Sequence, residues 1–121
     1  MYDSAAQGPV LSSLEFYTDC RAALGGDGTG VMAVNLFGRH SSYDTNLRSI
    51  SRSFGGRMLM LPPSERGNVI VFAFAGPELV LPLADLRARA ARLKEVTGLE
   101  FPRWLAGFRT ANALTGNTWT I

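Results

Sequence analysis

The chain has 121 residues, of which 46% are hydrophobic and 18% charged, and a formal net charge of +2. That length suits one domain with a real core, and the balance excludes disorder of the whole chain. The small positive excess shows no clustered basic face of the kind that nucleic acid requires, and no apolar run reaches the ~18 residues of a membrane span. No basic segment followed by an apolar one opens the sequence, so a cytoplasmic protein is expected.

Residues 1–11 read as a loop, with Gly8-Pro9 as its strongest turn signal. Ser12 stands three residues before Glu15, the spacing of an N-terminal capping box, and a helix is expected to start there. Leu14, Tyr17, Cys20 and Leu24 recur every three or four residues and define its apolar face. Cys20 is the only cysteine, which excludes an internal disulfide and a thiolate metal cluster. On that face it reads as a small core residue, because the single histidine, His40, has no evident way to activate it. Gly25-Gly26 ends the helix, residues 27–30 form a turn, and Val31 to Phe37 is a strand. Its apolar content on both faces predicts an interior strand covered by helices on both sides. A helix and turn feeding such a strand make half of a βαβ unit, whose first strand is not found before residue 10.

Ser41 and Ser42 offer caps for a second helix, in which Tyr43, Leu47, Ile50 and Phe54 form one stripe. A short strand is expected over Arg57 to Leu61, stopped by Pro62-Pro63, and a stronger one over Asn68 to Phe74. Two strands joined by a short loop are most simply antiparallel. Pro82 then suits a first helical turn, with Leu83, Leu86, Ala90 and Leu93 at helical spacing up to Thr97-Gly98. The basic residues Arg87, Arg89, Arg92 and Lys94 of that helix read as a solvated face. A shorter helix is expected over Pro102 to Arg109, with Trp104, Leu105 and Phe108 on its apolar side. Residues 110–121 are polar and expected to be only partly ordered unless something holds Trp119 and Ile121.

Few of these residues announce chemistry. No metal-ligand spacing, Ser/His/Asp arrangement or phosphate loop is present, and the glycine-rich stretch 25–30 follows a helix where a phosphate loop would precede one. Asp3 is the one suggestive acid of the opening loop.

A collinear set of residues carries more. Tyr2-Asp3-Ser4 with Gly8-Pro9, then Ser13 to Tyr17, Leu24, Asp27-Gly28, the strand to Asn35, Phe54 and Asn68 to Ala73 resemble the C-terminal half of spermidine synthases. These are polyamine aminopropyltransferases with the fold of S-adenosylmethionine-dependent methyltransferases. The resemblance implies an α/β fold, the second half of a class I methyltransferase-like sheet, over residues 1–76, with a helical extension over 77–121 packed on it. It implies that Asn68 to Phe74 is central and antiparallel to both other strands. It also implies a general base at Asp3, which would take a proton from a diamine as the amine displaces methylthioadenosine from a sulfonium centre. Tyr2, Ser4 and Tyr17 are the implied neighbours of the substrate. Two positions depart from the family pattern. Ala6 stands where a second amine-binding acid is expected, and Gln7 replaces a proline, which puts standard diamine specificity in doubt.

The family's co-substrate, decarboxylated S-adenosylmethionine, is held largely by an N-terminal half that this sequence does not show. The chain alone is therefore expected to bind no cofactor and to be inactive, as a truncated form. Strand 31–37 would expose an apolar edge, which predicts a dimer or swapped oligomer formed there. The alternative reading is a non-catalytic remnant of the same fold, or another methyltransferase-like protein, that serves as an oligomerisation or interaction domain. In neither reading is nucleic acid or a membrane a partner, or a metal bound.

Overall fold

The computed structural model describes residues 13–121. Its elements are α1 (Leu14–Ala23), β1 (Gly30–Phe37), α2 (Tyr43–Ser53), β2 (Met58–Met60), β3 (Asn68–Ala75), β4 (Val80–Pro82), α3 (Leu83–Thr97), α4 (Phe101–Ala111) and β5 (Thr118–Thr120). The architecture is mixed α/β. A three-stranded sheet has the order β1-β3-β2, antiparallel on both sides of β3, and a separate ribbon pairs β4 with β5. Thus β3 is central, as expected.

Helix α1 is capped by Ser13, whose hydroxyl accepts from the Phe16 N–H at 3.1 Å. Ser12, the expected cap, lies outside the described residues; the helix begins one residue later than a Ser12–Glu15 box would set it. Glu15 still occupies the first turn, where a carboxylate complements the helix dipole. Helix α3 has Pro82 as its extended N-cap and ends on Gly98 at φ 75°, a left-handed conformation that glycine adopts without steric cost.

The alternation along β3 divides the molecule. Val69, Val71, Ala73 and Ala75 are buried on one face, where Tyr17 of α1, Ile50 and Phe54 from α2 and its cap, and Leu36 of β1 complete the main core. Cys20 is only half-buried and is not part of that core, since it stands one turn beyond the Tyr17 contact. The opposite face of β3 carries Ile70, Phe72 and Phe74, and there Phe108 of α4 meets Phe72 edge to face at 5.5 Å.

That second face is covered unevenly, which corrects the expectation for residues 31–37. Met32, Val34 and Leu36 point to the main core, whereas Val31 and Phe37 are 46% and 52% exposed. The reason is placement: α4 packs on the β2 side, and α3 packs mainly on α4. On the outer face of β1, Arg103 and Trp104 of α4 share a cleft with Asn35, while Val31 and Phe37 stay exposed.

The two sheet edges also differ. Asn112, which caps α4, accepts from the Met60 N–H and donates to the Met60 carbonyl, both at 2.8 Å. Its side-chain amide replaces one peptide unit of a missing neighbour and closes the β2 edge. The β1 edge has no such partner among the described residues. Since Ile70 and Phe74 direct their backbone toward β2, the pairing alternation leaves the backbone groups of Val31, Ala33 and Asn35 on the free side of β1, whereas the Phe37 carbonyl accepts from the His40 N–H at 3.0 Å.

The C-terminal stretch is more ordered than its composition suggests. Thr118–Thr120 pairs with Val80–Pro82, and Trp119 is 3% exposed. Arg57 fastens this ribbon to the sheet, with its guanidinium donating to the carbonyl oxygens of Gly76, Pro77 and Ile121 at 2.6, 2.9 and 3.1 Å. Arg57 itself lies just before β2, which is shorter than the expected 57–61.

Asn112→Ala leaves both Met60 backbone groups without their partner, and a loss of about 1–3 kcal/mol is expected in urea unfolding. Tyr17 offers a second check. Burial, with the neighbouring Cys20 acting in the same direction, raises its phenol above the ordinary 10.0. The unfolded chain therefore ionises first, so this contribution is complete below about pH 10 and is lost as pH rises through the folded value. Tyr17→Phe is expected to flatten the fall in stability between about pH 9 and pH 11, measured by urea unfolding at a series of pH values.

Candidate functional site

A cleft with several polar side chains lies on the second face of the sheet. Asn35 of β1, Ile70 of β3 and Leu61 after β2 form a row across the sheet, with Asn35 paired to Ile70 and the Leu61 N–H donating to the Ile70 carbonyl at 3.0 Å. This row floors a cleft of about 720 Å³. Its wall is α4, through Arg103 and Trp104. Gly107 sets how close that wall comes, since a Cβ there would stand 3.0 Å from the Pro62 ring. Ser64 and Asn68 close the loop end, where the Ser64 hydroxyl accepts from the Asn68 N–H at 3.0 Å.

The position has a physical logic. Asn35 is the one polar side chain in an otherwise apolar strand, near its C-terminal end. In open α/β sheets ligands gather beyond such strand ends. The cleft offers amide and hydroxyl groups, an indole and a guanidinium. Among the described residues lining it there is no carboxylate, so it holds hydrogen-bonding groups without an attraction for a cation. An amine ligand would need its acid from elsewhere. Asn35 was visible in the sequence as the break in the apolar run, yet a single amide names no chemistry.

Of the residues expected at a site, Tyr2, Asp3 and Ser4 lie outside the described residues, as do Ala6 and Gln7. Tyr17 is in the main core, 2% exposed and edge to face with Phe16 at 5.4 Å. It occupies the face of the sheet opposite Asn35, so the structure does not bring these two together. Cys20 and His40 are also apart in function: the His40 Nδ1 is engaged with the Ser42 hydroxyl at 2.7 Å. Among the described residues no three metal-ligating side chains gather, and no helix is long and apolar enough to cross a membrane.

Comparison with known proteins supplies what geometry alone does not. No protein-family model matches the sequence, and no solved structure matches it. A polyamine aminopropyltransferase of Neisseria meningitidis serogroup A is 35% identical over 101 residues, which is 84% of this chain and 38% of that protein. The polyamine aminopropyltransferase of serogroup B gives the same figures. That of Chromobacterium violaceum is 30% identical over 106 residues, 88% of this chain and 40% of its own length. The chain thus spans about two-fifths of the length of the curated relatives it matches, and over that span it is similar to the polyamine aminopropyltransferases, the spermidine synthase family.

Proposed function

We infer that this chain supplies the amine-acceptor side of an aminopropyl-transfer site, on the C-terminal half of a class I methyltransferase-like sheet. The observation that carries the reading is the 35% identity across 84% of the chain to polyamine aminopropyltransferases. In this reading Asp3, which precedes α1 in the sequence, meets the acceptor. Its carboxylate attracts the ammonium group, takes the proton and leaves a free amine to attack the sulfonium-activated carbon of decarboxylated S-adenosylmethionine, with methylthioadenosine departing. Tyr2 and Ser4 flank that acid, and Tyr17 contributes from beneath by fixing the first turn of α1. With Ala6 in place of a second acid, the acceptor end is held by one carboxylate. No carboxylate among the described residues lining the 720 Å³ cleft near Asn35 replaces that charge, so a monoamine or an acceptor with a less basic far end suits it better than a standard diamine.

The nucleoside half of the site belongs to the part of the relatives that this chain does not match. Calorimetric titration of the 121-residue chain with methylthioadenosine is expected to give no heat up to about 1 mM. Micromolar binding would overturn the placing of the nucleoside site outside this chain. In a chimaera that joins this chain to the unmatched segment of the Neisseria meningitidis serogroup B relative, Asp3→Asn is expected to lower kcat by about 10²–10⁴ with a smaller change in KM. Unchanged turnover would remove Asp3 as the base.

A second reading concerns association, and the bare edge and face of β1 favour it. Unpaired strand edges with apolar residues nearby recruit further strands. In this reading a cytoplasmic homo-oligomer forms by pairing of β1 with a second copy. Ala33→Pro removes an N–H from the free side of β1 and leaves its bonds to β3 in place. Sedimentation velocity is expected to show a dimer for the parent chain and a monomer for Ala33→Pro. A monomeric parent chain would exclude edge pairing.

A further inference from the structure

A second cleft lies away from the sheet, between the two helices of the C-terminal hairpin. Helix α3 turns at Gly98 into α4, and the chain between them is short enough to keep the helices side by side. Small residues face the gap, Ala90 from α3 and Ala106 from α4, so the helices touch without filling the space between them. Leu83 and Leu105 line it further, and Trp119 of β5 closes it, leaving a volume of about 350 Å³. This lies within the range of small-molecule pockets, which are mostly apolar with a few placed polar groups.

The polar groups are all donors. Arg87 and Arg109 line the cleft from opposite helices, and no carboxylate is among the described residues that line it. Neither guanidinium is in an ion pair or a side-chain hydrogen bond among the described residues, where the one salt bridge is Lys94–Glu100. Two uncompensated cations on one small apolar cavity raise its local potential and favour an anion. Arginine adds a planar fork that matches a carboxylate. Trp119 also lines the cavity, while its indole N–H is sealed from solvent and has no hydrogen-bond partner among the described residues. The protein therefore presents an apolar cavity with two guanidinium groups and no carboxylate to match them.

We propose that the α3–α4 cleft is a binding site for a small amphipathic carboxylate, its flat apolar body lying between the helices on Trp119 and its anionic group held by Arg87 and Arg109. Such a compound is unlike a polyamine in charge, so this site is separate from the amine-acceptor site and does not depend on it. It gives the arginines of α3 and α4 a role that a solvated face does not.

The test uses the full 121-residue chain labelled with ¹⁵N at the indoles and 2-naphthoate as probe. Trp104 and Trp119 are the only tryptophans, and Trp104→Phe, at an exposed position, assigns the two indole signals. The Trp119 signal is expected to shift saturably, with a Kd between about 10 µM and 1 mM. Arg87→Gln with Arg109→Gln is expected to weaken binding about tenfold or more, and the uncharged 2-naphthalenemethanol to bind correspondingly less well than the acid. Both arginines are exposed, so the double variant should fold, and its unchanged spectrum without probe checks this. The proposal is overturned if the Trp119 signal does not move at about 10 mM probe. It is also overturned if only Trp104 responds, or if the double variant and the parent bind equally.

Discussion

Strand β3 imposes the constraint on which the rest of the molecule depends. It donates and accepts on both edges, to β1 and to β2, and its side chains alternate strictly between two apolar environments. A shift of one residue in its register would carry Val69, Val71 and Ala73 away from the core under α1 and α2 and put Ile70, Phe72 and Phe74 in their place. The small Ala73 and Ala75 let those helices approach at the far end of the strand, while Phe72 on the other side is large enough to reach Phe108 of α4. One strand thus fixes the distance of both helical layers.

The two layers are unequal, and the functional readings arise from that inequality. The layer of α1 and α2 spans all three strands through a continuous core. The layer of α4, with α3 behind it, covers the β2 side and stops at the Asn35–Ile70–Leu61 row, where it forms the wall of the polar cleft. Between α3 and the sheet lies an apolar groove of about 570 Å³. Asn112 closes one edge of the sheet and Arg57 ties the β4–β5 ribbon to the same side, so the ordered polar contacts concentrate around β2. On the β1 side apolar surface and unpaired backbone stay open.

Among the described residues, both clefts are lined by guanidinium groups and by no carboxylate. The one at the end of β1 offers no acid among the described residues that line it, so in the proposed reading an amine acceptor depends on Asp3. The one between α3 and α4 is lined by two guanidinium groups and lacks the side-chain amides and hydroxyl of the first. A polyamine has no reason to enter the second, and an organic acid has no counter-charge problem there.

The elements with strong local codes were legible in the sequence. The stripe of Tyr43, Leu47, Ile50 and Phe54 set α2, the left-handed Gly98 set the end of α3, and two apolar runs set β1 and β3 within a residue or so, because side-chain period and backbone freedom are properties of the chain itself. The family was legible too, since a collinear pattern of residues needs no coordinates. Other features depended on groups distant in sequence. The ribbon of Val80–Pro82 and Thr118–Thr120 has no hydrophobic period to read over three residues; each strand exists because the other supplies its hydrogen bonds and because Arg57 reaches three carbonyl oxygens around it. The burial of Trp119, the closing of the β2 edge by Asn112 and the exposure of one face of β1 were likewise decided by tertiary packing. An apolar strand states that its side chains favour burial, but only the placement of the helices determines which of its two faces is covered.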